Sequence, residues 1–151
     1  MNKKSIVALF LALLVCGSFV GCVVRKPDYA FNVGTEQQFV GNDSLKVVSA
    51  ELSEGIITVT IDLNFETITL SDFEYITVRK SEVGAPTIKY DLSESRKQNE
   101  GEVFDAPRKG EVTLVFRGDS ISSEDELSDY LLHVGYCRED GTMPRGNFLL
   151  A

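Results

Sequence analysis

The chain has 151 residues, with 15 lysines and arginines against 23 aspartates and glutamates, and its formal net charge at pH 7 is −8. This length suits one domain with its own hydrophobic core, and the acidic balance argues against partners such as nucleic acid or anionic lipid headgroups. Proteins, cations and neutral glycans are the partners that the charge favours.

The beginning of the chain has the features of an export signal. Lys3 and Lys4 make it positive, residues 6–15 are an unbroken apolar run, and small residues precede Cys22. An apolar run of this length is typical of a signal peptide. Gly21 followed by Cys22 resembles a bacterial lipoprotein signal, although Phe19 stands where such signals usually have leucine.

The resemblance implies that residues 1–21 are a lipoprotein signal peptide and that Cys22 carries palmitate-type acyl chains. Residues 22–30 would then be a short tether, and residues 31–151 a domain exported from the cytoplasm and held at the membrane. Removal of the signal leaves 13 basic and 23 acidic residues. Two alternatives stay open: an uncleaved transmembrane helix over residues 6–24, and secretion without an anchor.

The rest of the chain predicts strands joined by turns. The predicted strands are residues 38–40, 45–52, 57–65, 73–80, 87–90, 112–117, 130–137 and 147–150. The clearest is 57–65, in which apolar and polar residues alternate with the period of a strand that has one buried face. The strand at 130–137 is apolar on both faces, as in the centre of a sheet.

Two polar segments separate these strands. Residues 91–101 are charged or polar throughout, which predicts an exposed loop and the most plausible contact loop of the domain. Ser123 and Glu126 have the spacing of a capping box, which predicts a single helical turn reaching Asp129.

Seven or eight short strands with almost no helix predict an all-β domain, an antiparallel β-sandwich, with a closed barrel as the alternative. The segments around Gly34, Asn64, Phe104 and Pro107 resemble the telokin-like, immunoglobulin-like domain of bacterial surface lipoproteins over residues 31–137. The resemblance implies an immunoglobulin-like sandwich and an extracellular setting. The family has no general activity to carry over.

The residues that catalysis and metal binding require are scarce. His133 is the sole histidine, and Cys137, four residues on, is too far along a strand to act with it. One histidine and one free cysteine cannot make a dedicated zinc site, and no glycine-rich phosphate loop occurs. We therefore expect no catalytic residues and no cofactor, with His133 and Cys137 as inert residues of the fold.

Two further groups of residues are candidates for binding. Weak candidates for calcium ligands lie within eleven residues: Asp119, Glu124, Asp125, Glu126 and Asp129. Their spacing does not match an EF-hand loop. Tyrosines, which are common at interfaces and in strands, are Tyr29, Tyr75, Tyr90, Tyr130 and Tyr136.

The sequence thus favours a non-catalytic, membrane-anchored surface lipoprotein that binds a protein or envelope component or serves as an accessory module. One alternative is a cell-envelope enzyme that acts on glycan or cell-wall polymer through a pair of carboxylates. The other is a calcium-stabilised adhesion module built on residues 119–129.

Overall fold

A computed structural model describes residues 30–151, which form two packed β-sheets. Within this range the strands, in chain order, are β1 (Ala30–Phe31), β2 (Glu36–Val40), β3 (Asp43–Ser53), β4 (Ile56–Asn64), β5 (Phe73–Lys80), β6 (Ile88–Lys89), β7 (Lys109–Arg117), β8 (Tyr130–Tyr136) and β9 (Arg145–Leu149). Sheet A has the order β1-β9-β8-β5-β6, and sheet B has the order β2-β3-β4-β7.

The predicted all-β sandwich is confirmed for the described residues. The barrel alternative is excluded, because the strands form two separate hydrogen-bonded sheets. All strand pairs are antiparallel except β1 with β9. The strand predicted at residues 73–80 coincides with β5, and the apolar strand predicted at 130–137 is the central strand β8.

The β3–β4 hairpin is the longest local element of sheet B. Ser53 pairs with Ile56, so Glu54 and Gly55 alone form the turn. Both turn residues have positive φ, 51° and 74°, which matches the right-handed twist of the flanking strands. The alternation predicted for β4 is observed, since Ile57, Val59, Ile61 and Leu63 are buried and the residues between them are half-buried.

The hydrophobic core lies between the two sheets. Sheet B contributes Phe39, Leu45, Val47, Ile57, Val59, Ile61, Leu63, Val112, Leu114 and Phe116, and sheet A contributes Phe73, Ile76, Val78, Tyr130, Leu132, Val134 and Phe148. The core therefore takes one face of each sheet, which leaves the outer faces available for other roles.

The predicted exposed loop at residues 91–101 is wrong, because this segment contains the helix α1 (Leu92–Gln98). The carboxylate of Asp91 accepts a hydrogen bond from the backbone N–H of Glu94 at 3.0 Å, which caps the helix start. Glu94 in turn forms an ion pair with Lys97 at 2.6 Å. The helix lacks an apolar stripe, so hydrophobic periodicity did not reveal it.

Helix α1 covers the free edge of β7 with hydrogen bonds. The Asp91 N–H donates to the Val115 carbonyl at 2.7 Å, and the Ser95 hydroxyl accepts from the Val115 N–H at 2.9 Å. The Asn99 side chain donates to the Thr113 carbonyl at 2.7 Å and accepts from the Thr113 N–H at 2.8 Å. These bonds replace a neighbouring strand and block edge-to-edge pairing.

Two other local predictions are wrong. Ala30, predicted to belong to the tether, begins β1 and lies parallel to β9 beside Asn147. The capping box at Ser123 does not form, because the helical turn is a 3-10 turn at Leu127–Asp129. Its cap is Glu126, whose backbone N–H donates to the carboxylate of Asp129 at 3.0 Å.

The predicted signal peptide, the lipidated Cys22 and the tether up to residue 29 lie outside the described residues. Among residues 30–151 there is no helix long and apolar enough to cross a bilayer.

Candidate functional site

The outer face of sheet A carries the most distinctive group of polar side chains in the described chain. Core residues alternate with outward residues along β5, β8 and β9, as strand geometry requires. Tyr75 and Arg79 of β5, His133 of β8 and Arg145 of β9 occupy outward positions. We call these four residues the outer-face cluster.

Tyr75 and His133 form the centre of the outer-face cluster. Their ring centroids are 4.7 Å apart at an interplanar angle of 47°. The Tyr75 hydroxyl lies 3.4 Å from His133 Nε2, which is at the limit of a hydrogen bond. Tyr75 pairs with Gly135 across the strands, and its ring occupies the space where a side chain at position 135 would lie.

The two arginines act electrostatically on both rings. Burial lowers the pKa of His133, and the positive charges of Arg79 and Arg145 lower it further. Burial raises the pKa of Tyr75, an effect that Arg145 and Arg79 partly offset. His133 is therefore neutral at pH 7, and the arginines supply the positive charge of the cluster.

A buried layer lies beneath the cluster. Thr77 and Leu131 occupy outward positions, yet only 4% and 1% of their surfaces are exposed. Within residues 30–151, Arg79 Nε and Asn147 Oδ1 are buried and have no hydrogen-bond partner. Such unpaired polar atoms are uncommon in a finished fold.

Gly135 controls the position of the Tyr75 ring. A Cβ at this position would overlap the tip of the ring, so we expect Gly135→Ala to push the ring away from His133. Because the clash involves only the tip of a half-buried side chain, the loss of stability should be modest, about 1 kcal/mol. The exposed His133 should show a higher pKa, measured by NMR titration of the sole histidine.

The matched control is Gly118→Ala. The nearest atoms to a Cβ there would be those of the Ile88 side chain, at 3.3 Å and beyond, on a different part of the molecule. The pKa of His133 should therefore stay at its wild-type value. An unchanged His133 pKa in Gly135→Ala would contradict the assigned position of the Tyr75 ring.

The sequence indicated only part of this site. Tyr75 belongs to the tyrosine set, and His133 was expected to be an inert residue of the fold. Arg79 and Arg145 were not singled out, although each is a long cation at the end of a predicted or observed strand. Their convergence depends on the pairing of three strands, which no local pattern reveals.

The calcium candidates do not converge on one point. Asp119, Glu124, Glu126 and Asp129 are exposed, while Asp125 is half-buried. No group of three or more histidine, cysteine, aspartate or glutamate side chains that could hold a metal ion is present in residues 30–151.

Asp125 instead binds groups of the protein. Lys80 Nζ donates to its Oδ1 at 2.8 Å, and the Tyr130 hydroxyl donates to its Oδ2 at 2.5 Å. The Ser122 N–H donates to the same Oδ2 at 2.9 Å. Lys80 and then Tyr130 lower the pKa of Asp125 to about 2. Its carboxylate joins the end of β5 to the start of β8.

The prediction that the apolar strand includes Cys137 is wrong. Cys137 follows the last residue of β8 and is exposed. Its neighbour Arg138 links the β8–β9 connection to β2, since Arg138 Nε donates to the Phe39 carbonyl at 2.7 Å.

Two surface recesses of the described residues each contain more than one acidic side chain. One of about 500 Å³ lies at the end of the sandwich between Thr67, Tyr136 and Arg138, and includes Glu139 and Asp140. The other, of about 420 Å³, lies beside the β3–β4 hairpin and is lined partly by Glu51, Glu54, Asp125 and Glu126. Both are open to solvent, and one carboxylate of the second is already bound by Lys80.

No protein-family model, no curated protein and no solved structure matches this chain.

Proposed function

We propose that this protein is a non-catalytic surface lipoprotein, anchored through lipid on Cys22 and exposed outside the cytoplasm, whose sandwich binds an envelope component. The basic start, the apolar run and Gly21–Cys22 support the anchor. The observation that carries the binding role is the outer-face cluster, where two arginines flank an aromatic pair in a chain of net charge −8.

We further propose that the sandwich is immunoglobulin-like. In such domains strands A, B and E lie in one sheet, and C, F and G lie in the other. Strands β3, β4 and β7 have the positions of A, B and E, and β5, β8 and β9 have those of C, F and G. The Tyr130 hydroxyl, which donates to Asp125, also lies 3.3 Å from the Ser120 carbonyl, and this position resembles the tyrosine corner of these domains.

The position of β1 supports an anchor that lies close to the outer-face cluster. β1 is parallel to β9, and Ala30 lies beside Asn147, two residues after Arg145. The eight residues from Cys22 to position 29 reach about 28 Å when fully extended. Lipid on Cys22 would thus hold the outer face of sheet A near the membrane.

Metabolic labelling with a fatty-acid probe tests the anchor. We expect label on the wild-type protein and none on Cys22→Ala. Cys137→Ala is the matched control, since it removes the exposed thiol of the domain and should keep the label. Equal labelling of wild type and Cys22→Ala would refute the proposed attachment.

Photo-crosslinking on intact cells tests the binding role. A crosslinking residue in place of Lys89, at the margin of the outer face of sheet A, should yield a reproducible adduct. The control position is Glu51, which is exposed on sheet B. Equal adducts from both positions, or none from either, would count against this face as the binding surface.

A further inference from the structure

We propose that the outer-face cluster binds a small ligand through a single phosphate group. This deepens the proposed function, because it names the ligand class for the same face. The groups involved are Arg79, Arg145, His133 and Tyr75.

The strand register places the two arginines on opposite sides of His133, and the charges of both act on this histidine. Arg79 pairs with Leu131, and Arg145 pairs with Gly135, on opposite sides of β8. These two positions of β8 are four residues apart, roughly 13 Å along the strand. His133 lies midway between them and on the same face, so two long side chains approach it from both sides.

The charges of these arginines are uncompensated. Within residues 30–151, neither Arg79 nor Arg145 has an acidic partner within 4.0 Å, whereas Lys46, Lys80 and Arg117 each have one. The chain has an excess of acidic residues, so two arginines without acidic partners on one face leave a local positive charge there.

The donor set suits phosphate better than carboxylate. One guanidinium can satisfy both oxygens of a carboxylate in a bidentate pair. Here a guanidinium on β5, a guanidinium on β9 and the Tyr75 phenol surround one histidine, and three separate donors suit the several oxygens of a tetrahedral anion. Thr77 and Leu131 beneath the cluster are buried, which lowers the local dielectric and strengthens these interactions.

The net charge of the chain restricts the size of the ligand. An acidic body repels an extended polyanion over long distances, whereas a compact ligand experiences mainly the nearby arginines. A single phosphate on a small molecule, or on one lipid headgroup, meets this condition. Nucleic acid does not.

NMR of the full-length chain in neutral detergent tests the proposal, with the sole histidine as the reporter. Inorganic phosphate and glycerol 3-phosphate should each shift the His133 signal saturably and raise its pKa, since a bound anion stabilises the imidazolium. Acetate at equal ionic strength should produce a much smaller shift. A saturable shift only with vesicles that contain phosphatidylglycerol would assign the phosphate to a lipid headgroup.

Two double variants, each of which removes two positive charges, distinguish specific binding from bulk electrostatics. Arg79→Gln with Arg145→Gln should weaken phosphate binding at least tenfold. Lys46→Gln with Arg117→Gln, which removes two ion-paired cations of sheet B, should leave binding within about twofold of wild type. Equal weakening by both pairs would refute a specific site.

Tyr75→Phe provides a variant that keeps the ring and its packing. Loss of the hydroxyl should weaken phosphate binding several-fold without changing the melting temperature appreciably. The proposal is overturned if neither phosphate compound nor the vesicles shift the His133 signal saturably. Because the titration does not require lipid on Cys22, failure of the anchor and failure of phosphate binding are distinguishable.

Discussion

Replacing Asp43 with alanine is expected to lower the free energy of unfolding by about 3 kcal/mol. Only 2% of Asp43 is exposed. Its carboxylate accepts backbone hydrogen bonds from Glu66 at 2.7 Å, Thr67 at 2.9 Å and Ile68 at 3.0 Å. Alanine would leave these donors without their acceptor and release the connection between β4 and β5.

Urea denaturation at pH 7 measures the effect. The matched control is Asp62→Ala, because Asp62 is partly exposed and forms a 3.1 Å ion pair with Lys46 on the outer face of sheet B. We expect its loss to change stability by less than about 1 kcal/mol. Equal losses from the two substitutions would mean that Asp43 does not organise this connection.

Asp43 also accounts for part of the stability that we expect the protein to lose at low pH. Burial raises the pKa of Asp43, but the hydroxyl of Thr67 and three backbone N–H groups lower it, and the net pKa is below its usual value. Its stabilising contribution is therefore complete above the unfolded pKa, about 3.9, and is lost as the pH falls through the folded pKa. Asp43→Ala should show a weaker loss of stability in this range.

Asp125 titrates in the same acidic range. Because Lys80 and Tyr130 hold its pKa at about 2, its contribution is likewise lost below the unfolded pKa. It remains in the Asp43 variant, so the pH dependence should weaken but not disappear. A variant with the full acid sensitivity of wild type would contradict the role assigned to Asp43.

The second large effect is expected at the edge of sheet B. Asn99→Ala removes two hydrogen bonds to Thr113 and one to the Ser95 carbonyl. We expect a loss of about 2 kcal/mol, because half-buried backbone groups of β7 lose their partners. The uncovered edge should also pair with other copies, which predicts concentration-dependent self-association.

Urea denaturation and light scattering over a range of protein concentrations measure these two effects. Gln98→Ala is the control, since Gln98 is exposed at the end of the same helix. It should alter neither stability nor the monomeric state. An Asn99→Ala protein as stable and as monomeric as the control would show that α1 does not protect this edge.

Local sequence determined the strands with strong alternation and the class of the fold. Ile57, Val59, Ile61 and Leu63 repeat with the period at which a strand buries one face, and Glu54-Gly55 supplies the positive φ that a tight hairpin requires. These preferences act between neighbours in the chain. They therefore predicted an all-β sandwich before any tertiary contact was known.

Helix α1 and β1 were decided by tertiary contacts. The segment 92–98 has no apolar face and docks through the polar groups of Ser95 and Asn99, so its composition resembled that of a loop. Ala30 and Phe31 form a strand because β9 offers them backbone hydrogen bonds and Phe148 offers a ring 5.3 Å away. A two-residue strand has no periodicity to read.

The candidate site also depended on tertiary structure. Arg79, His133 and Arg145 come from three strands that are far apart in sequence, and a one-residue change in register would turn each side chain to the other face. Any arginine can bind an anion, so residue type alone did not single out Arg79 and Arg145. Only the pairing of β8 with β5 and β9 placed them together, because register is set by long-range packing rather than by local sequence.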